Sequence, residues 1–186
     1  MNTKKYAKIG DKLYEINTSY KVALKCDEVA KDEDISDYEK TLAIIYLLYG
    51  DEGLKNIKNY DKLLELALKY LSCGEEVKGD NKDIDMDFKQ DFRLIKASFM
   101  SDFGIDLSKQ DISWEDFYTY VNGLTEGCIL NRVRMLRTYD ASKIEDNKER
   151  QELKDLQKRF ALKKLETKLT KEQEQSMEEF NKIIGI

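Results

Sequence analysis

Apolar side chains recur along this chain at spacings of three and four residues, and polar capping residues stand ahead of the runs. Phe88, Phe92, Ile95 and Phe99 follow one another at four, three and four. They therefore share one face of a helix, whose period is about 3.6 residues. Leu63, Leu64, Ala67, Leu68 and Leu71 form a second such face over about Tyr60 to Leu71. The chain holds no proline, so nothing of that kind breaks a helix interior. Turns must then rely on Gly, Asn, Asp and Ser. A proline-free chain rich in Lys and Asn also suits an AT-rich genome, so the absence has a second reading.

Local signals place the elements. Tyr6 to Ile16 partly alternates apolar and polar residues around Gly10-Asp11, which predicts a short β-hairpin. Asn17-Thr18-Ser19 offers caps for a helix over about Tyr20 to Ala30. Ser36 and Glu39 have the spacing of a capping box, ahead of a helix carrying Leu42, Ile45, Leu48 and Tyr49 and stopped at Gly50. Asp87 is the expected N-cap of the phenylalanine helix, and Gly104 its stop. Ser113 opens a short helix with Trp114, Phe117, Tyr118 and Val121, ended by Gly123, and Thr125 is the expected cap of the next. From Ser142 the chain is charged, with one seam at Leu153, Leu156 and Phe160 and another at Leu162, Leu165 and Leu169. Thr170 to Gln173 reads as a fresh capping box before Met177, Phe180 and Ile184. A strict heptad does not persist, so a continuous coiled coil is not expected.

The fold class is thus mainly α. We expect a helical domain of about six to eight helices, a short N-terminal β-hairpin and a long charged C-terminal helix. The expected organisation is residues 1–74 as a hairpin and helical subassembly, 75–86 as an acidic linker, 87–163 as a second helical subassembly, and 164–186 as a charged extension.

Composition narrows the function. Hydrophobic residues make up 41 % of the 186, enough for a core, while charged residues reach 37 %, as amphipathic helices with solvated faces require. The formal net charge of −5 argues against nucleic acid as the main partner. The charged start has no signal-peptide character, and no apolar run approaches the ~20 residues of a membrane span. Cys26, Cys73 and Cys128 form no CxxC pair, so buried or half-buried thiols are expected instead of disulfides or zinc ligands.

Catalytic chemistry finds little to work with. The chain has no histidine, which removes the commonest general base and metal ligand. Asp83-Ile-Asp-Met-Asp87 imitates the opening of a calcium loop. However, Phe88 stands where the turn glycine belongs, and Leu94 where the bidentate glutamate belongs. The glycines fit no nucleotide-binding fingerprint. No enzyme activity and no cofactor are expected. Arg132, Arg134 and Arg137 cluster on one predicted helix, with Arg134 and Arg137 on a shared face. They can meet phosphate or an acidic partner, but the commoner arrangement is a solvated face beside acidic neighbours. Trp114 has a core reading and an interface-anchor reading. The partner-binding candidates are Trp114, Tyr118, Arg134, Arg137 and Phe180.

Several of these residues lie in longer motifs. Asp87 to Leu107 contains an acidic-Phe pair, an aromatic helix with Ala97-Ser98-Phe99, and the turn Gly104-Ile105-Asp106-Leu107. Ser113 to Leu124 holds a tryptophan helix closing on Asn122-Gly123-Leu124. Tyr14 to Lys21 includes Ile16-Asn17-Thr18. Taken in chain order they resemble the phage gp-fifteen family over residues 13–163, most specifically 87–124. Arg134 to Asp140 and Ser142 to Asp146 match its downstream pattern loosely, and Ala161-Leu162 is similar to its ending. Ser19 replaces the usual acid, and Trp114 stands alone where two aromatics are common.

The resemblance implies a product of the tail region of a siphophage or prophage, working in the cytoplasm of the bacterial host. The role it suggests is that of a tail assembly chaperone, which coats the tape-measure protein, helps recruit the tail tube protein and self-associates. A structural component of the mature tail or connector is the alternative. A helical DNA-binding regulator rests only on the arginine cluster. The resemblance brings no catalytic or ligand residues, and it says nothing of the extension from Lys164 onward.

Overall fold

The computed structural model describes residues 4–75 and 85–163. Two strands, β1 (Lys5–Ile9) and β2 (Lys12–Ile16), pair antiparallel with Ile9 opposite Lys12. The two-residue turn between them has Gly10 at φ 58°, a left-handed conformation that glycine adopts without strain. The hairpin buries the facing pair Ala7 and Tyr14. Helices follow: α1 (Tyr20–Lys31), α2 (Asp37–Leu54), α3 (Tyr60–Leu71), α4 (Phe92–Phe103), α5 (Trp114–Asn122), α6 (Ile129–Thr138) and α7 (Asn147–Phe160). Short 3-10 turns precede α3 and α7. The chain is mainly helical with an N-terminal hairpin, as its apolar spacing predicts.

The capping logic holds in most places. The Ser19 hydroxyl accepts from Lys21 N–H, and Ser36 and Glu39 form the full capping box. Ser113 accepts from Asp116 N–H. At Gly104 (φ 69°) the last turn of α4 closes with Gly104 N–H on Met100 O and Ile105 N–H on Phe99 O, a Schellman ending.

Gly50 leaves helical geometry (φ 62°, ψ −158°) and breaks α2 where the sequence stops it, and a further helical turn runs on to Leu54. In that turn Gly53, lacking a side chain, nests against Ile45 and Tyr49. Three expectations are corrected. Asp87 does not cap α4. Its carboxylate accepts from Lys89 and Gln90 N–H in a preceding turn, and the helix begins at Phe92, after Asp91. Thr125 does not cap α6, because its N–H and hydroxyl both donate to Asp102. Cys128 takes that place, its Sγ accepting from Asn131 N–H at 3.4 Å. Finally, α7 is shorter than the expected long helix and ends at Phe160, because Ala161 leaves helical geometry (φ −56°, ψ 141°). The capping box at Thr170, the seam beyond Lys163 and most of the acidic linker lie outside the described residues.

Two apolar clusters form the core. Ala7, Tyr14, Cys26, Ile44, Ile45, Leu48, Tyr49, Leu63 and Ala67 gather the hairpin with α1, α2 and α3. Tyr20, Ala23, Ile95, Phe99, Leu107, Trp114, Phe117, Val121, Leu124, Cys128 and Leu130 gather α1 with α4, α5 and the start of α6. Each fully buried large side chain contributes ~1.5–3 kcal/mol. The second cluster is aromatic at its centre. Tyr20 stacks on Phe117 with ring centroids 4.9 Å apart, and Phe99 lies 5.2 Å from Phe117.

Helix α1 serves both clusters, with Tyr20 and Ala23 on one side and Cys26 on the other. Backbone bonds reinforce the junction: Trp114 N–H donates to Thr18 O at 2.7 Å and Tyr20 N–H to Ile112 O at 3.1 Å. The Tyr20 hydroxyl donates to Leu107 O at 2.8 Å. Strong amphipathicity alone requires a helix to bury one face, whereas α1 presents two.

Candidate functional site

Helix α6 carries Arg134 and Arg137 three residues apart, on one face. That face turns inward. Arg137 Nη1 and Nη2 donate to the two carboxylate oxygens of Asp91, both at 2.7 Å. Nη1 also donates to Asp85 O at 2.8 Å, and Nε to Phe160 O at 2.7 Å. Arg134 Nε donates to the Asp85 carboxylate at 3.0 Å, and Nη1 to Asn131 Oδ1 at 3.2 Å. Both arginines are thus engaged within the chain, and Arg132 is the exposed member of the cluster.

The structure separates the other candidates. Trp114 is 4 % exposed, and its indole N–H donates to Leu71 O at 2.9 Å. Tyr118 is half-buried beside it, ring centroids 5.7 Å apart, and its hydroxyl donates to Glu75 at 2.8 Å. Burial raises the Tyr118 pKa, and the bond to Glu75 adds to the shift. Trp114 and Tyr118 lie together on α5, apart from the arginine clamp on α6. Phe180 lies outside the described residues.

A groove of about 610 Å³ opens between α1 and α2. Its apolar lining includes Val29, Ala43, Tyr46 and Leu47, and its rim includes Asp87, Lys89 and Gln90. Lys31 crosses one end, 2.7 Å from Asp27 and 2.9 Å from Asp87. Burial alone would lower the Lys31 pKa, but hydrogen bonds to the two carboxylates outweigh it and hold it above its ordinary value. For Asp87, burial pushes upward. The Gln90 N–H and Lys31 outweigh that and keep the carboxyl below its usual range.

Asp85 and Asp87, which resemble calcium ligands in sequence, are held by Arg134 and Lys31. Among the described residues no group of three or more Cys, Asp or Glu is placed to hold a metal ion. No described helix is long and apolar enough to cross a membrane.

Sequence reading missed the groove, Gln90 and the clamp's partners. One signal was available for Asp91. It stands three residues after Phe88 and four before Ile95, so the helical period puts this carboxylate on the buried stripe. A charge there calls for a buried partner. Nothing local identifies that partner as Arg137, 46 residues away.

Among curated proteins and solved structures, none matches this chain. The model of one family, described as "Bacteriophage Gp15 protein", matches residues 4–162, from the hairpin through the end of α7. The chain belongs to the Bacteriophage Gp15 protein family.

Proposed function

We propose that this protein acts in the host cytoplasm as a phage tail assembly chaperone, which binds the tape-measure protein and helps recruit tube subunits. The carrying observation is the family match over residues 4–162, which points to a phage structural or morphogenetic role. The fold supports the finer reading. A chaperone for a long apolar protein needs exposed apolar side chains on a stable helical body. Tyr38, Tyr46, Ile57, Leu68 and Met135 are each more than half exposed, while the aromatic core beneath is closed. The inward engagement of Arg134 and Arg137 removes the main support for a DNA-binding regulator.

Co-expression with the tape-measure protein of the same phage, affinity capture and size-resolved mass analysis form the test. A soluble complex with several copies of this chain per tape-measure chain is the expected result. A folded chain that elutes alone while the tape-measure protein precipitates would overturn the chaperone reading. Stoichiometric presence in purified particles would instead make it a tail or connector component.

A further inference from the structure

Gln90 closes its side-chain amide on the main chain of Lys163. Its Nε2 donates to Lys163 O at 3.0 Å, and Lys163 N–H donates to its Oε1 at 2.8 Å. This two-way amide pair holds the Lys163 peptide groups against Gln90. Gln90 also lines the α1–α2 groove, next to Lys89 and Asp87. Lys163, the last described residue, is therefore held on the Gln90 side of this groove.

Chemistry on the two sides is complementary. The groove offers Val29, Ala43, Tyr46 and Leu47, and the Tyr46 ring is left 52 % exposed. Its lining also carries Asp32, Glu33 and Asp34, none of which forms an ion pair among the described residues, alongside Lys25, Lys31 and Lys89. The residues that follow the Gln90 anchor are Lys164-Leu-Glu-Thr-Lys-Leu-Thr-Lys171, with three lysines against one glutamate and leucines four apart. That spacing can present Leu165 and Leu169 to one surface. The segment lies beyond residues 4–162 that match the family.

We propose that residues 164–171 occupy the α1–α2 groove of their own chain. Leu165 and Leu169 cover Val29, Ala43, Tyr46 and Leu47, and Lys164, Lys168 and Lys171 face Asp32, Glu33 and Asp34. The groove is then an interaction surface with a tethered occupant. The anchor at Gln90 holds the segment at high effective concentration, so an outside ligand for the groove must displace it. The tape-measure reading is not needed for this, because the contact is measured on the chain alone.

A photo-cross-linking amino acid placed in the full chain at position 165, and separately at 169, tests the contact. The expected product is a cross-link within one chain to peptides holding Val29 or Tyr46-Leu47. Cross-links between two copies, cross-links only to other surfaces, or no cross-link would each overturn the proposal. The triple variant D32K/E33K/D34K should retain its far-UV circular dichroism and lose the groove cross-link several-fold. An undiminished yield in that folded variant would overturn the charge pairing.

Discussion

Arg137 grips Asp91 from both sides of its carboxylate, with Nη1 and Nη2 each 2.7 Å from a different oxygen. The side chains are 11 % and 3 % exposed, so the pair is almost wholly withdrawn from water. The same guanidinium reaches the carbonyls of Asp85 and Phe160. Asp91 in turn accepts from Asp87 N–H at 3.0 Å. One arginine thus ties the start of α4, the end of α7 and its own helix α6 into one joint. The fork geometry of a guanidinium makes this possible, because its donors leave in fixed directions in one plane.

Removing the arginine should be costly. Arg137→Ala leaves Asp91 buried without its counter-charge and strips two carbonyls of a donor. A loss of ~3–5 kcal/mol is expected for breaking such a pair, read from urea unfolding. Arg137→Lys should recover only part of it, since one ammonium cannot serve a bidentate carboxylate and two carbonyls together. A loss below ~1 kcal/mol for Arg137→Ala, the range of a surface pair, would show that the joint opens in solution.

The elements were legible in sequence where a single local rule decides them. The apolar spacing gives helix α3 at Tyr60 to Leu71, and Gly104, Ser113 and the capping box at Ser36 act as their types suggest. The misreadings share one cause. Asp87 and Thr125 are sound caps taken alone, but a turn before α4 and the carboxylate of Asp102 claim them first. Gly50, by contrast, carries the expected backbone break, and a short further turn to Leu54 follows it. The clamp was illegible for a different reason. A pair 46 residues apart leaves no periodic trace, and an arginine cluster on a helix face looks the same whether it points in or out.

Gly53 supplies a second prediction. A Cβ there would stand 2.7 Å from Ile45 Cγ2 and 2.9 Å from Tyr49 Cβ. Alanine normally favours a helix over glycine by ~1 kcal/mol, but here two buried side chains and the backbone of the preceding turns block it. Gly53→Ala should destabilise by ~1–3 kcal/mol, the usual cost of overpacking. A gain in melting temperature would mean that Ile45 and Tyr49 yield without strain.

Trp114 is the chain's single tryptophan, so intrinsic fluorescence reports on one place. Native emission should be blue-shifted, moving to the red on unfolding together with the helical circular dichroism signal. Trp114→Phe keeps an aromatic ring against Phe117 but removes the N–H that meets Leu71 O. The expected loss is ~1–3 kcal/mol for an unpaired buried acceptor. Red-shifted native emission would contradict the burial itself.

High pH should dissolve the fold from within. Burial pushes the Cys26 thiol from its ordinary 9.0 up to about 12, with the neighbouring Asp27 carboxylate adding to the shift. Burial likewise takes Cys73 to about 11, helped by Glu115 and Glu75. Burial also raises Tyr20, Tyr49 and Tyr70 above 10.0. In each case the folded chain keeps a proton that the unfolded chain gives up. Their contribution is therefore intact below about pH 9 and is lost as pH climbs toward 12. Urea midpoints should stay level through neutral pH and fall steeply above pH 9. Thiol-reactive probes at pH 8 should leave Cys26 unmodified in the native chain and label it on unfolding. Tyr70 offers a contrast within the same set. Its hydroxyl is buried with no hydrogen-bond partner among the described residues, whereas the Tyr49 hydroxyl donates to Leu63 O at 3.1 Å. Tyr70→Phe should thus hold or raise stability and soften the alkaline fall, while Tyr49→Phe should lower stability by ~1 kcal/mol. Equal losses from the two would show that the Tyr70 hydroxyl has found a partner.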